Sequence, residues 1–497
     1  MLPSLLAAAT LDTWPFVILI VTVCFVIASI SFFKLHPFLA LILAGILAGV
    51  MATHLPPDPK YPEKGQLVRA VEITIKGLGD TAGAIGVVIG MATIIAMGLM
   101  ESGAADKVVR RLLACFGNHP LGISFAIVIS TYILSVPIFF DSMFMLMLPI
   151  AMAMAMRTGK NFTLYTMSIC SGAVVTHSLC VPHPGPLFMA ENLKIDVGLS
   201  IWVGIAVGVV PMLVGWFTVQ WLNKATPIPL RESPSTPLDQ IRTLMDKPES
   251  ELPSFSASLM PVIVPILLIS FASLFEVVRQ TFLKEPSGWA TPVIGWFGGL
   301  DGFLVVKKYV EFIGNKNIAL IVGAIMALRL LKKQRKLSFH AISALVGPPL
   351  EMAAIMILIS AAGGGYGFAL SNAGVADSLG EWARQHSSVN LIWLAWGCAL
   401  IFRIAQGSAT VAMQTVSAMM AGLITVLPYH PIYIFLAIGF GAIGCSWMND
   451  AGFWVVCRLS NFTERETLRT WTVLLSVLSF IGVLFTWVLS ILLPFKL

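Results

Sequence analysis

Charge is scarce in this sequence. Only 11% of its 497 residues are Asp, Glu, Lys or Arg and 57% are apolar, against about 25% charged residues in soluble domains. That excludes an ordinary soluble enzyme surface. The net charge of +6 does not argue for nucleic acid as a partner, because membrane proteins collect Lys and Arg on cytoplasmic loops for orientation alone. Seven cysteines form no CxxC pair and no metal-ligand spacing, so neither a zinc centre nor another metal or cofactor is expected. HExxH is absent, and with it the usual signature of a zinc hydrolase. No Lys or Arg precedes the first apolar run, so the n-region of a cleaved leader is missing and that run is expected to stay as a span. What remains is the composition of an all-α polytopic membrane protein.

Ten windows are apolar over the length needed to cross roughly 30 Å of hydrocarbon: 14–33, 36–54, 81–100, 162–192, 197–222, 257–277, 317–333, 343–370, 432–457 and 468–493. Two of them, 162–192 and 432–457, are broken. Two further segments, 120–156 and 390–425, are long enough for helix pairs and carry polar interruptions at Phe140-Asp141-Ser142 and Gln406-Gly407-Ser408. We read both as re-entrant hairpins. ESGAAD, ending at Asp106, is echoed by NAGVAD, ending at Asp377. Each is followed by a short amphipathic helix, a hairpin, a broken span and a closing span. Five spans per copy is odd, so the second copy should sit upside down in the bilayer, as in transporters built from inverted repeats. The expected organisation is a first repeat over 1–223, a cytoplasmic linker over 224–256 and a second repeat over 257–497. Lys34, Arg110, Arg157, Lys224, Lys332 and Arg458 then fall on one face, and the positive-inside rule puts both termini outside. The segment 278–316 has no place in this map beyond an interfacial helix or a contact surface.

Ionisable groups at membrane depth cost from about 2.5 kcal/mol upward, so each needs a reason. Pro182, Pro184 and Pro186 break the apolar helix of 162–192, since each lacks the backbone donor a helix requires. Broken backbone at that depth must be buried in protein or line a polar cavity. His177 and His183 flank this break with Ser178 beside them, as cavity-lining groups or as hydrogen-bonded core residues. Asp141 is either a proton-coupling carboxylate or the N-cap of the second hairpin arm. Arg403 either meets a substrate carboxylate or pairs with Asp450. The turn at Gln406, Ser408 and Thr410 opens a helix N-terminus that favours an anion. The second break offers Ser446, Asn449 and Asp450, as a substrate site or as a glycine-rich helix crossing. Gly363-Gly364-Gly365 follows an apolar helix, not a strand, which excludes a phosphate loop and leaves close packing or a bend.

THSLCVPHPGP (176–186), the FFD…LMLPI run (139–150), AGGGYG (362–367), RIAQGSATVA (403–412) and SWMNDAGFW (446–454) together resemble the gluconate:proton symporter family of the ion transporter superfamily. Ser142, Met143, Trp447 and Ala451 depart from that family's pattern. The resemblance implies an inverted-repeat fold, a homodimer in the inner membrane, and import of a gluconate-like sugar acid or related monocarboxylate with protons. Charge logic agrees: a carboxylate entering a negative interior needs accompanying cations, each worth about 2.3 kcal/mol per 100 mV. The expected substrate contacts are His177, Ser178, His183, Gln406, Ser408, Thr410, Ser446 and Asn449, with Asp141 and Asp450 coupling protons and Arg403 pairing charge. A hydroxy acid or amino acid is the alternative cargo. An intramembrane hydrolase using Ser446 and a distant histidine is a remote one, because it leaves the paired breaks unexplained.

Overall fold

Prolines and short polar side chains set where the helices begin. Pro37, Pro120 and Pro184 open their helices, where a missing N–H costs nothing. Ser254, Ser338 and Asp196 each accept from a backbone N–H three residues on. The computed structural model describes residues 12–116, 119–231, 251–286, 288–385 and 390–494, and every regular element among them is helical.

The first half runs α1 (Trp14–Ser31), α2 (Pro37–Met51), α3 (Gln66–Glu101), α4 (Ala104–Phe116), α5 (Pro120–Leu134), α6 (Phe140–Thr158), α7 (Phe162–Leu179), α8 (Pro184–Asn192) and α9 (Val197–Ala225). The second runs α10 (Phe255–Lys284), α11 (Ala290–Gly295), α12 (Leu300–Ile313), α13 (Lys316–Arg335), α14 (Phe339–Asn372), α15 (Val375–Gln385), α16 (Leu391–Gln406), α17 (Ala409–Met420), α18 (Ile432–Gly441), α19 (Ala451–Leu459), α20 (Glu464–Thr467) and α21 (Val473–Leu492). A π-helical turn over Leu468–Thr472 joins the last two.

The packing comes in matched pairs. Where α2 lies on α14, α13 lies on α3; α5 packs on α7 as α16 does on α18; α7 packs on α9 as α18 does on α21; and α4 meets α10 as α15 meets α1. At the centre α3 and α14 cross each other. Gly364 permits it, since a Cβ there would lie 1.9 Å from Thr81 Oγ1. Close approach through small residues is how helices associate without a hydrophobic drive between them. The 363–367 run therefore lies within a continuous helix, where Gly364 serves close packing.

Among the described residues, seven helical segments, with Phe162–Asn192 taken as one, are long and apolar enough to cross a membrane, and an eighth span arises if α12 and α13, bent by 53°, are one. Six of the seven coincide with expected spans; the seventh is α6, read from sequence as one arm of a hairpin. The expected spans at 14–33 and 36–54 are the shorter helices α1 and α2, and 432–457 is divided between α18 and α19. The linker expected over 224–256 falls largely on 232–250, outside the described residues. The segment 278–316 forms α11 and α12, where Phe275, Phe297 and Phe303 pack together. Lys307 there is held by Glu276 at 2.9 Å and by Glu311.

Two local expectations change. Of the three prolines at the first break, only Pro182 stands between helices; Pro184 and Pro186 lie in the first turn of α8, where the backbone amides have no intrahelical partner to lose. The interruption of the first hairpin is Ser135–Phe139 instead of Phe140–Ser142. Phe139 is the N-cap of α6 and offers no side-chain cap, while Asp141 sits inside the first turn. The N-cap role for Asp141 is thereby overturned.

Candidate functional site

Three helices begin at one cavity. The N-terminal turns of α6 (Phe140, Asp141), α17 (Ala409, Thr410) and α19 (Ala451, Gly452) line a space of about 340 Å³, with Val174 and His177 from α7, Arg403 and Gln406 from α16, Asn449 and Asp450 from the second break, and Met356, Trp471 and Leu475 closing it. The first turn of each helix leaves amides unpaired, and the helix dipole places about half a positive charge there. The location suits negative charge.

Local chemistry explains the turn at Gly407. Its φ of +82° ends α16, with its N–H donating to the Arg403 carbonyl at 2.9 Å. Only glycine takes that conformation freely. Ser408 then caps α17, its Oγ accepting from the Val411 amide at 3.3 Å, and Ala409 and Thr410 in the first turn line the cavity.

Arg403 is buried on the wall. Its guanidinium donates to the Gly407 carbonyl and to Asp450 Oδ2, while Nε has no partner. Asp450 also accepts from the Gly452 amide at 3.1 Å, capping α19, and from Ser446 Oγ. Ser446 in turn accepts from Trp471 Nε1 at 2.7 Å. Arg403 and Asp450 thus form a neutralised pair that ties α16 to α19. Asp141 differs. It is exposed to the cavity and has no ion-pair or hydrogen-bond partner among the described residues.

The cavity gathers most of the residues singled out from sequence: Asp141, His177, Arg403, Gln406, Ser408, Thr410, Asn449 and Asp450. Both amide atoms of Gln406 are buried without partners, so the wall presents an unfilled donor and acceptor. Asn449 donates to the Ile404 carbonyl at 2.7 Å. Three residues expected to touch substrate lie behind the wall. Ser178 is buried and donates to the Val175 carbonyl at 3.0 Å. Ser446 is the second-layer support of Asp450 just described. His183 is buried with Nε2 2.6 Å from the Ser135 carbonyl, its ring centroid 4.6 Å from that of His177. Sequence reasoning missed Trp471 and Met356. Both look like ordinary span residues; the π-helical turn carrying Trp471 marks it only once the backbone is known.

Comparison with known proteins follows the same outline. The GntP family permease model matches residues 14–492. A gluconate permease of Pseudomonas aeruginosa is 28% identical over 477 residues, 95% of this chain and 97% of that protein. The D-serine transporter DsdX of Escherichia coli O6:H1 is 29% identical over 479 residues, covering 96% and 98%. Among solved structures, Neisseria gonorrhoeae MtrF, described as illuminating a class of antimetabolite efflux pumps, superposes with a TM-score of 0.61 at 12% identity over 93% of this chain and 96% of its own. That last likeness concerns the fold alone.

Proposed function

The chain belongs to the GntP permease family, and we propose that it imports a gluconate-like sugar acid together with protons through the 340 Å³ cavity. Family membership makes it a multi-pass membrane transporter and not an enzyme. The cargo is our reading, supported by the name of the Pseudomonas aeruginosa relative and by one feature above all: three helix N-termini converge beside an unfilled Gln406 amide. The N-termini favour a carboxylate. Gln406, Ser408, Thr410 and Asn449 suit the hydroxyls of a polyol chain.

Proton coupling follows from the charges on the wall. Arg403 is neutralised by Asp450, which leaves Asp141 as the unbalanced charge. A carboxylate about 4 Å from an ionised Asp141 meets roughly 4 kcal/mol of repulsion at an effective dielectric of 20, close to a thousandfold in affinity. Protonation of Asp141 removes it. Asp450 does not share that role in our reading, because its charge is already matched. Further parts of the proposal are the inverted pair of repeats, 1–223 and 257–497, with both termini outside, the inner membrane as location, and a homodimer.

The test is uptake of labelled D-gluconate into proteoliposomes. An inward proton gradient should drive accumulation, glucose should not compete, and collapse of the gradient should abolish it. Gluconate uptake indifferent to the gradient would sink the coupling; equal transport of glucose would sink the anion site. A second reading, carriage of a zwitterionic amino acid, draws on the DsdX relative and on the unpaired Asp141, which could face an ammonium group. D-serine in the same assay separates the two.

A further inference from the structure

Two imidazoles lie ring to ring at the cavity, His177 half-buried on its wall and His183 buried behind it, and their unused nitrogens point to a function. His183 has Nε2 2.6 Å from the Ser135 carbonyl. A carbonyl only accepts, so the proton of neutral His183 is on Nε2 and its Nδ1 carries a lone pair. That Nδ1 is buried without a partner, and so is the Nδ1 of His177. The ring centroids are 4.6 Å apart, within reach of an Nδ1 to Nδ1 contact after a modest ring rotation. His177 itself lines the cavity. Unpaired buried polar atoms are rare and each needs an explanation.

An Nδ1–H on neutral His177 aimed at the His183 lone pair satisfies both, and it leaves His177 Nε2 as the basic nitrogen that can take a further proton. We propose that the His177–His183 pair is a second proton site of the transport cycle, separate from Asp141, so that two protons accompany each carboxylate and a net positive charge enters. This rests on the transport reading above and deepens it. In the step, a hydronium ion in the cavity gives its proton to His177; one O–H bond breaks and one N–H bond forms. The imidazolium donates through Nδ1–H to the His183 Nδ1 lone pair, while His183 keeps its Nε2–H on the Ser135 carbonyl. Release into cavity water on the other side reverses it. The pair sits at the junction of α7, the first break and the end of α5, with the ring of Phe139 5.3 Å from His183 shielding it. The charged groups facing it are Asp141 on α6, Arg403 on α16 and Asp450 at the start of α19. Cys180 lies in the break and Tyr132 on α5, the tyrosine hydroxyl donating to the Ile205 carbonyl at 2.5 Å.

The experiment uses the full chain in proteoliposomes with labelled D-gluconate and an inside-negative potassium diffusion potential. Parent uptake should rise at least fivefold with the potential. His183→Gln, behind the wall, should transport at zero potential within about threefold of the parent but respond to the potential less than twofold, since one carboxylate then moves with one proton; His177→Gln should respond less than twofold in whatever uptake it retains. Glutamine at 183 can still donate to the Ser135 carbonyl, which guards the fold. If both variants keep the parent response, or the parent carries gluconate with no response, the proposal fails. Absence of any gluconate transport by the parent would instead strike the cargo reading. A substrate-free arm then decides the pair: an infrared titration with 15N-labelled histidine should show one protonation shared by two rings, lost on replacing either ring. Independent titration of the two rings, or of neither, overturns the proposal whatever is carried.

Discussion

Gly407 lies against the backbone of Asn449: a Cβ on Gly407 would come within 2.1 Å of the Asn449 carbonyl oxygen and 3.0 Å of its Cγ. The turn of the second hairpin and the second break are therefore built as one surface, and the cavity exists where they meet.

Replacing Gly407 with Ala tests this. The left-handed conformation costs a side chain about 1–2 kcal/mol, and the contact with Asn449 is with backbone, which cannot swing aside. We expect at least a tenfold loss of gluconate counterflow with the protein still present in the membrane. An alanine variant with parental affinity would show that the turn does not shape the site.

The Arg403–Asp450 pair should behave as a unit. Removing one partner leaves a buried charge unmatched, at a cost of about 3–5 kcal/mol. Arg403→Gln and Asp450→Asn should each lower the unfolding temperature in detergent, and the double variant should lose less than the two losses combined. Simple additivity would mean that the pair is not coupled.

Substrate contacts are read from affinity. Gln406→Leu and Thr410→Val remove polar groups from the wall, and a lost partner to a buried polar group costs about 1–3 kcal/mol, or roughly 5- to 150-fold. Counterflow should show that weakening for D-gluconate without a change in thermal stability. Unchanged affinity in both variants would move the substrate elsewhere.

Asp141 sets a pH dependence with a definite sign. If an anion binds well only when this carboxyl is protonated, gluconate affinity falls as pH rises, and Asp141→Asn flattens the curve at high affinity. A variant whose affinity still falls like the parent's would remove Asp141 from the coupling.

The orientation is checked with an impermeant thiol reagent on a cysteine-free background. A cysteine at Glu63, between α2 and α3, should be labelled in intact cells, while one at Lys336, between α13 and α14, should need permeabilised cells. The reverse pattern would invert the map.

Much of this protein was legible in its sequence because membrane burial leaves so few choices. A helix must satisfy its own backbone in lipid, so apolar windows fixed most of the long helices, and the order of parts after Asp106 and Asp377 exposed the two matched halves. The second hairpin turn was readable to the residue, since Gln406-Gly407-Ser408 holds a helix end, a left-handed glycine and a cap in succession. The first was not. Pro137 marks Ser135–Phe139 as a break, but Asp141 is the more conspicuous polar interruption, and a tertiary contact, His183 on the Ser135 carbonyl, helps hold the break there. Nor could spacing tell which polar groups face the cavity. His177 and His183, six positions apart, read as equals, as did Ser446 and Asn449; yet packing of α7 against α5, and of Trp471 on Ser446, turned one of each pair inward and left the other on the wall. Covalent order determined which groups stand near each break, and only the convergence of α6 with α17 and α19, which lie more than 250 residues beyond it in the chain, decided which of them share a cavity.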